Sequence, residues 1–249
     1  MQPKALVLDG DGINCENEIS FALTSVGFSV YQLHITDLLN ESKHLKDCQM
    51  LVIPGGFSFA DEIRSGKVLA LKLKEKLFSQ LNAFIEDGRF LLGICNGFQV
   101  LTMLGLLPDY SLFGAHSAAL VANQSGKFID RWVDLIVNEK TSSPLLTGLK
   151  TLSLPIRHGE GRIVVKREIA DSIEEFVCLR YKENVNGSFE NIAALTNKKG
   201  NVFGLMPHPE AFVRLSQHPA WTHPAKNNAD LSAKPDGLVF FQNAFNALN

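Results

Sequence analysis

This chain is most informative first through what it lacks, because each shortage removes a class of function. No apolar run approaches the ~18 residues that a membrane helix needs, so no membrane association is expected. No block of lysine or arginine stands out, and 24 basic against 26 acidic side chains leave a formal net charge of -2. Neither a nucleic acid nor an acidic membrane surface would find an electrostatic footprint here. There is no Cys-x-x-Cys pair: Cys15, Cys48, Cys95 and Cys178 lie far apart, and no secretory leader precedes the strand-like run at Lys4 to Leu8. Reduced thiols in a cytoplasm are therefore expected. No metal site is expected, since the seven histidines are dispersed and His208-Pro209-Glu210 has no further ligand near it in the chain. The Walker-type Gly-x-x-x-x-Gly-Lys loop is missing as well, which leaves ATP no cradle in this chain. With no internal repeat, low-complexity tract or linker, residues 1–249 read as one domain.

What is present is a large apolar content, 45% of 249 residues, enough for a sizeable core. Ala5 to Leu8 reads as a strand ending in the turn Asp9-Gly10-Asp11-Gly12. Cys15 to Val26 carries Ile19, Ala22, Leu23 and Val26 at helical spacing, with Gly27 placed as a cap. Phe28 to Leu33 and Met50 to Ile53 read as further strands, the second broken by Pro54-Gly55-Gly56-Phe57-Ser58. Lys67 to Asp87 predicts a long amphipathic helix with Leu71, Leu77, Leu81, Phe84 and Ile85 inward and Gly88 as its stop. Strand Phe90 to Leu92 follows. This alternation predicts an α/β fold with a mostly parallel central sheet flanked by helices, its functional residues at the strands' carboxyl ends, where Asp11, Gly56 and Cys95 would lie. The second half reads as richer in β structure: Phe128 to Val137, Leu152 to Leu154, Arg162 to Val165, Phe176 to Tyr181, Ile192 to Leu195 and Val202 to Met206. Lys198 to Asn201 has hairpin-turn chemistry, and Asp236 to Leu248 predicts a closing helix.

The chain is organised around Leu91 to Gln99, where an apolar run meets Gly93-Ile94-Cys95-Asn96-Gly97 and turns helical. This is the thiol counterpart of the Gly-x-Ser-x-Gly elbow, in which a strained turn projects the nucleophile. A cysteine at a helix N-terminus also feels the positive end of the dipole, which favours thiolate. Read alone, the pattern equally fits a buried cysteine in a core turn. His208 and Glu210, two apart, would project to one side of an extended segment stiffened by Pro207 and Pro209, an imidazole held by a carboxylate. A thiol nucleophile needs such a base, and the base needs an orienting partner. The amides of Pro54-Gly55-Gly56 are unencumbered and could meet a substrate oxygen.

Pro54-Gly55-Gly56, Gly93-Ile94-Cys95-Asn96-Gly97-Phe98-Gln99 and His208-Pro209-Glu210, in this order, resemble the class I, triad-type glutamine amidotransferases, whose fold is flavodoxin-like. Arg131-Trp132-Val133, His158-Gly159-Glu160-Gly161-Arg162, Asn186-Gly187-Ser188 and Met206-Pro207-His208-Pro209-Glu210 narrow the resemblance to glutaminase subunits of phosphoribosylformylglycinamidine synthase, nearly end to end from Gly12-Ile13-Asn14-Cys15-Glu16. Two departures are visible. Asp130 stands where that pattern has a cysteine, and Gln217 to Pro235 reads as an enlarged loop. The resemblance implies that Cys95 attacks L-glutamine, with His208 as base and acid and Glu210 as its orienter. It further implies oxyanion donors at the Gly56 and Asn96 amides, and Gln99 on the substrate. The chain itself would hold no cofactor. ATP and magnesium would bind a partner synthetase subunit, with a small accessory subunit beside it. Three other readings stay open at this point: a glutaminase serving another synthetase, a thiol-elbow cysteine hydrolase, and a scaffold with a relict site.

Overall fold

The computed structural model describes residues 2–113, 117–222 and 234–249. Its elements run β1 (Lys4–Asp9), α1 (Glu16–Ser25), β2 (Ser29–His34), α2 (Ile35–Asn40), β3 (Met50–Ile53), α3 (Lys67–Glu86), β4 (Phe90–Ile94), α4 (Asn96–Leu104) and α5 (Tyr110–Phe113). Then follow β5 (Ala118–Ala122), β6 (Ile129–Val137), β7 (Thr151–His158), β8 (Glu160–Val165), β9 (Val177–Tyr181), β10 (Ile192–Thr196), β11 (Val202–Leu205) and α6 (Asp236–Ala247).

A nine-stranded sheet has the order β2-β1-β3-β4-β11-β10-β9-β6-β7. The first five of these strands are mutually parallel and the rest continue antiparallel. β1, β3 and β4 are buried runs such as Met-Leu-Val-Ile, the signature of strands covered on both faces. The extra β structure expected in the second half extends this same sheet, while β5 and β8 pair separately. Between β10 and β11 the turn at Lys198 to Asn201 closes the predicted hairpin, with Gly200 at φ +77.

Helices pack in two groups, α1 with α6 and α3 with α2 and α4. α3 buries Leu69, Ala70, Leu73, Leu77, Leu81, Phe84 and Ile85. Leu71 does not join them. It is 49% exposed, because the stripe set by Leu73, Leu77 and Leu81 runs back through Leu69 and Ala70 at helical spacing. Among the described residues no helix is long and apolar enough to cross a membrane. Of the loop read from Gln217 to Pro235, residues 223–233 lie outside the described residues.

Candidate active site

Parallel pairing of β4 between β3 and β11 brings its carboxyl end to the loops that follow both neighbours. Cys95, the first residue past β4, has φ +52 and ψ -104, a sparsely populated conformation for a residue with a side chain. Its amide donates to Leu205 O at 2.8 Å, which fixes the elbow to β11. α4 starts at once and presses on β3: a Cβ on Gly97 would lie 1.9 Å from Ile53 O, so only glycine allows that approach. The Cys95 thiol, 6% exposed, makes a long contact of 3.7 Å to Arg157 O on β7.

His208 follows β11. His208 donates its amide to Pro155 O at 2.9 Å, so the far edge strand β7 also anchors this loop. The two-residue spacing predicts an extended His208-to-Glu210 segment, and the structure corrects this. Pro209–Ala211 forms one 3-10 turn that curls Glu210 back onto the ring. The result is a 2.6 Å contact between His208 Nδ1 and Glu210 Oε1, both residues being buried. A carboxylate can only accept, so Nδ1 carries a proton in either charge state of the ring, and Nε2 is left to exchange one with the thiol. Burial opposes charging His208, but Glu210, the Cys95 thiol and the Cys15 thiol outweigh it and hold its pKa well above the imidazole range. His208 Nε2 and Glu210 Oε2 are buried without a hydrogen-bond partner, an arrangement retained at sites that bind or react.

Gly56 has φ +140 and forms a bridge with Ile13, held by Asn14 N to Gly55 O at 3.3 Å and Phe57 N to Gly12 O at 2.7 Å. Neither the Gly56 amide nor that of Asn96 donates to another described residue. The Asn96 side chain holds the same loop. Its Oδ1 accepts from Ser58 N at 3.2 Å, and its Nδ2 donates to Asp61 Oδ1 at 3.2 Å and to Gln99 Oε1 at 2.9 Å. Gln99 in turn donates to Glu160 O. A cavity of about 240 Å³ opens over these groups, bounded by Gly56, Phe57, Cys95, Gln99, His158 and Glu160 among others. It has room for a ligand of amino-acid size. Of Cys95, His208 and Glu210, Cys95 alone lines this cavity.

The chain matches the CobB/CobQ-like glutamine amidotransferase domain over residues 2–246. It belongs to this family. A Dehalococcoides mccartyi protein named phosphoribosylformylglycinamidine synthase subunit PurQ is 37% identical over 97% of this chain and 96% of its own. The protein of that name from Thermotoga maritima is 37% identical over 100% of this chain and 99% of its own. Among solved structures, a chain in the structure of PurLQS from Thermotoga maritima superposes with a TM-score of 0.76 at 36% identity, with both chains covered in full. Another Thermotoga maritima structure, of a glutamine amidotransferase, shares the fold at 16% identity with a TM-score of 0.54, covering 100% of this chain and 95% of its own.

Within this amidotransferase, the His158-to-Arg162 and Asn186-to-Ser188 motifs meet beside the cavity. Asn123 Nδ2 donates to His158 O at 2.8 Å and to Lys127 O at 2.9 Å, while its Oδ1 takes Gly161 N at 3.2 Å and contacts His158 Nδ1 at 3.0 Å. Asn186 donates to Gly161 O at 2.9 Å, and Ser188 Oγ accepts from Ile163 N at 3.0 Å. So Asn186-Gly187-Ser188 clamps the His158-to-Arg162 turn. Burial, aided by the charge on His208, pushes His158 down to about 4 and keeps its imidazole neutral. Arg131, Trp132 and Val133 lie elsewhere, beside a separate cavity of about 300 Å³ with Ser153 and Lys182. Asn123, the Arg157 carbonyl and Cys15 escape sequence reasoning, because each reaches the site only through tertiary contact. Asn123 gives a faint signal as a polar residue just past an apolar run.

Proposed function

We propose that this chain is the glutaminase subunit of a phosphoribosylformylglycinamidine synthase. The observation that carries the reading is the buried His208–Glu210 pair set beside a thiol elbow whose Cys95 lines a small cavity. In this reading the Cys95 sulfur attacks the side-chain amide carbon of L-glutamine, and His208 passes the thiol proton to the departing nitrogen. Ammonia leaves and a γ-glutamyl thioester remains. Water, deprotonated by His208, then attacks the thioester carbon; glutamate leaves and the thiol is restored. The oxyanion of each tetrahedral state would take the amides of Gly56 and Asn96, where losing one donor typically costs ~3 kcal/mol in the barrier. Gln99, which lines the same cavity, would meet the glutamine backbone. The ammonia would pass to a synthetase subunit that, with ATP and magnesium, converts formylglycinamide ribonucleotide to the amidine in purine synthesis. A small accessory subunit would complete the assembly, in a cytoplasmic setting.

Glycine lets the Gly55-Gly56 peptide reorient for the loss of the 3.3 Å bond from Asn14 N to Gly55 O, and a partner that favours the orientation aiming the amide at Cys95 would raise turnover. A tenfold activation needs only ~1.4 kcal/mol. The test is ammonia release from glutamine by the pure chain, then with the synthetase subunit, then with the synthetase and its ligands together. The expected result is a slow lone chain and at least ~10-fold activation in the full mixture. Full rate by the lone chain removes the coupling. Absence of ammonia in every mixture removes the glutaminase reading itself, and peptide cleavage instead would favour a cysteine hydrolase.

A further inference from the structure

Cys15 follows β1 and has no part in the chemistry above, yet the fold brings it against the catalytic imidazole. Its sulfur, a ring nitrogen of His208 and a carboxylate oxygen of Glu210 all lie within 4.8 Å of one another, and all three residues are buried. The same convergence is visible from Gly55. A Cβ there would lie 2.9 Å from His208 Cε1, 3.2 Å from Cys15 Sγ and 3.4 Å from Cys95 Cβ. The Cys15 thiol donates to its neighbour Asn14 Oδ1 at 3.2 Å. His208 Nε2 and Glu210 Oε2 have no hydrogen-bond partner.

We infer that Cys15, His208 and Glu210 form a binding site for a thiophilic divalent cation of the zinc type, and that its occupancy switches the catalytic centre off. One sulfur, one imidazole nitrogen and one carboxylate oxygen make a donor set that zinc takes and that magnesium or calcium, which want oxygen alone, do not. Closing separations of up to 4.8 Å to the ~3.5 Å edge of a zinc tetrahedron asks for side-chain shifts of about 1 Å. Three protein donors leave a fourth position open, as in non-structural zinc sites. On binding, the Cys15 thiol and the His208 imidazolium each lose a proton to solvent, and the sulfur and ring-nitrogen lone pairs so freed bond the metal, with no change of oxidation state. His208 gives the metal the lone pair with which it would accept a proton. The cation is thus an inhibitor and not a cofactor. It is set apart from ordinary thiol poisoning by its need for Cys15, a residue that makes no bond to substrate.

The binding test needs no substrate, so it stands apart from the proposed reaction. Full-length protein, reduced and freed of metal by chelator, is titrated with Zn²⁺ alone by calorimetry, and with Co²⁺ alone to read the thiolate-to-cobalt charge-transfer band. One equivalent should bind, and Cys95→Ala should keep both the stoichiometry and the band. Cys15→Ala should weaken binding at least ~10²-fold and abolish the band, since loss of even an outer-shell partner costs 10–100-fold. Cys15→Ser, nearly isosteric, repeats the measurement where the alanine variant unfolds. In the glutaminase assay, Cys15→Ala should need at least ~10²-fold more Zn²⁺ to halve its own zinc-free rate. Zinc binding that is unchanged without Cys15, a band that follows Cys95 instead, or no stoichiometric binding would each overturn the inference. If zinc binds through Cys15 but no glutamine is ever hydrolysed, the site stands and the proposed reaction falls.

Discussion

The parallel and antiparallel halves of the one sheet do different work. From β2-β1-β3-β4-β11 come the elbow at Cys95, the Gly55-Gly56 loop and, past β11, His208 and Glu210. From β10-β9-β6-β7 and the paired β5 and β8 come a carbonyl beside the thiol and the His158-to-Glu160 wall of the cavity. The first half places reacting atoms within ångströms by short, obligatory connections. The second shapes the space over them through side chains such as Asn123. Changes in the parallel half should therefore reach the chemical step, and changes in the antiparallel half should reach substrate affinity or stability.

The sharpest break is Cys95→Ala. Glutamine-dependent turnover should fall by ~10⁴-fold or more, as for other deleted nucleophiles, while the assembled synthase still uses added ammonium salt. Loss of both activities in a folded complex would deny a role confined to ammonia supply. Next comes Glu210→Gln, which keeps shape and removes charge. It should cut kcat by ~10⁴-fold with KM little changed, because the carboxylate stabilises the imidazolium and fixes its orientation during reaction. An unaltered kcat would take Glu210 out of the triad.

On the antiparallel side the effects shrink and change kind. His158 titrates at about 4 when folded against ~6.5 when unfolded. Between those values the unfolded chain binds more protons, so stability falls as pH falls through that window. The loss reaches on the order of 2 kcal/mol by pH 5. His208, raised in the fold, works the other way over the same window, so the readout is the difference: in urea denaturation at pH 7 and pH 5 the native chain should change less favourably than His158→Gln by that amount, and an equal change in both would break the assignment. Asn123→Ala should raise KM for glutamine roughly tenfold, the scale of one or two lost hydrogen bonds, and leave kcat within about twofold. A kcat fall as large as that of Glu210→Gln would erase the division between the halves.

The same division explains what could be read from the chain alone. β3 at Met50–Ile53 and the elbow were legible because local pattern and local glycines specify them. β5, Ala-Ala-Leu-Val-Ala, was not: alanine carries little strand preference, and pairing with β8 supplies what propensity does not. α2 is short and follows β2 without a break, so no period could build up to announce it. His208 and Glu210 were legible as partners, but their 3-10 turn was not, since Pro fits both an extended stretch and the first turn of a helix. Leu71 was placed inward because that run is apolar on more sides than the core can accept. Cys15 stayed hidden for the plainest reason: no local pattern tells a strand-end loop which distant loop it will face.

The order of strands in space also sets an order in time. β11, the last strand of the chain among the described residues, lies in the middle of the sheet, between β4 and β10. A nascent chain that has not yet released Val202–Leu205 from the ribosome holds two half-sheets, each with a raw edge. Such edges invite pairing with another molecule. The cell must therefore carry every copy through a late, long-range insertion, a step that topology alone makes slow. Until it is complete, the segment past β11 has not carried His208 and Glu210 to the thiol, so the parts of the site on β4 stand in a growing chain without the pair that faces them in the finished one.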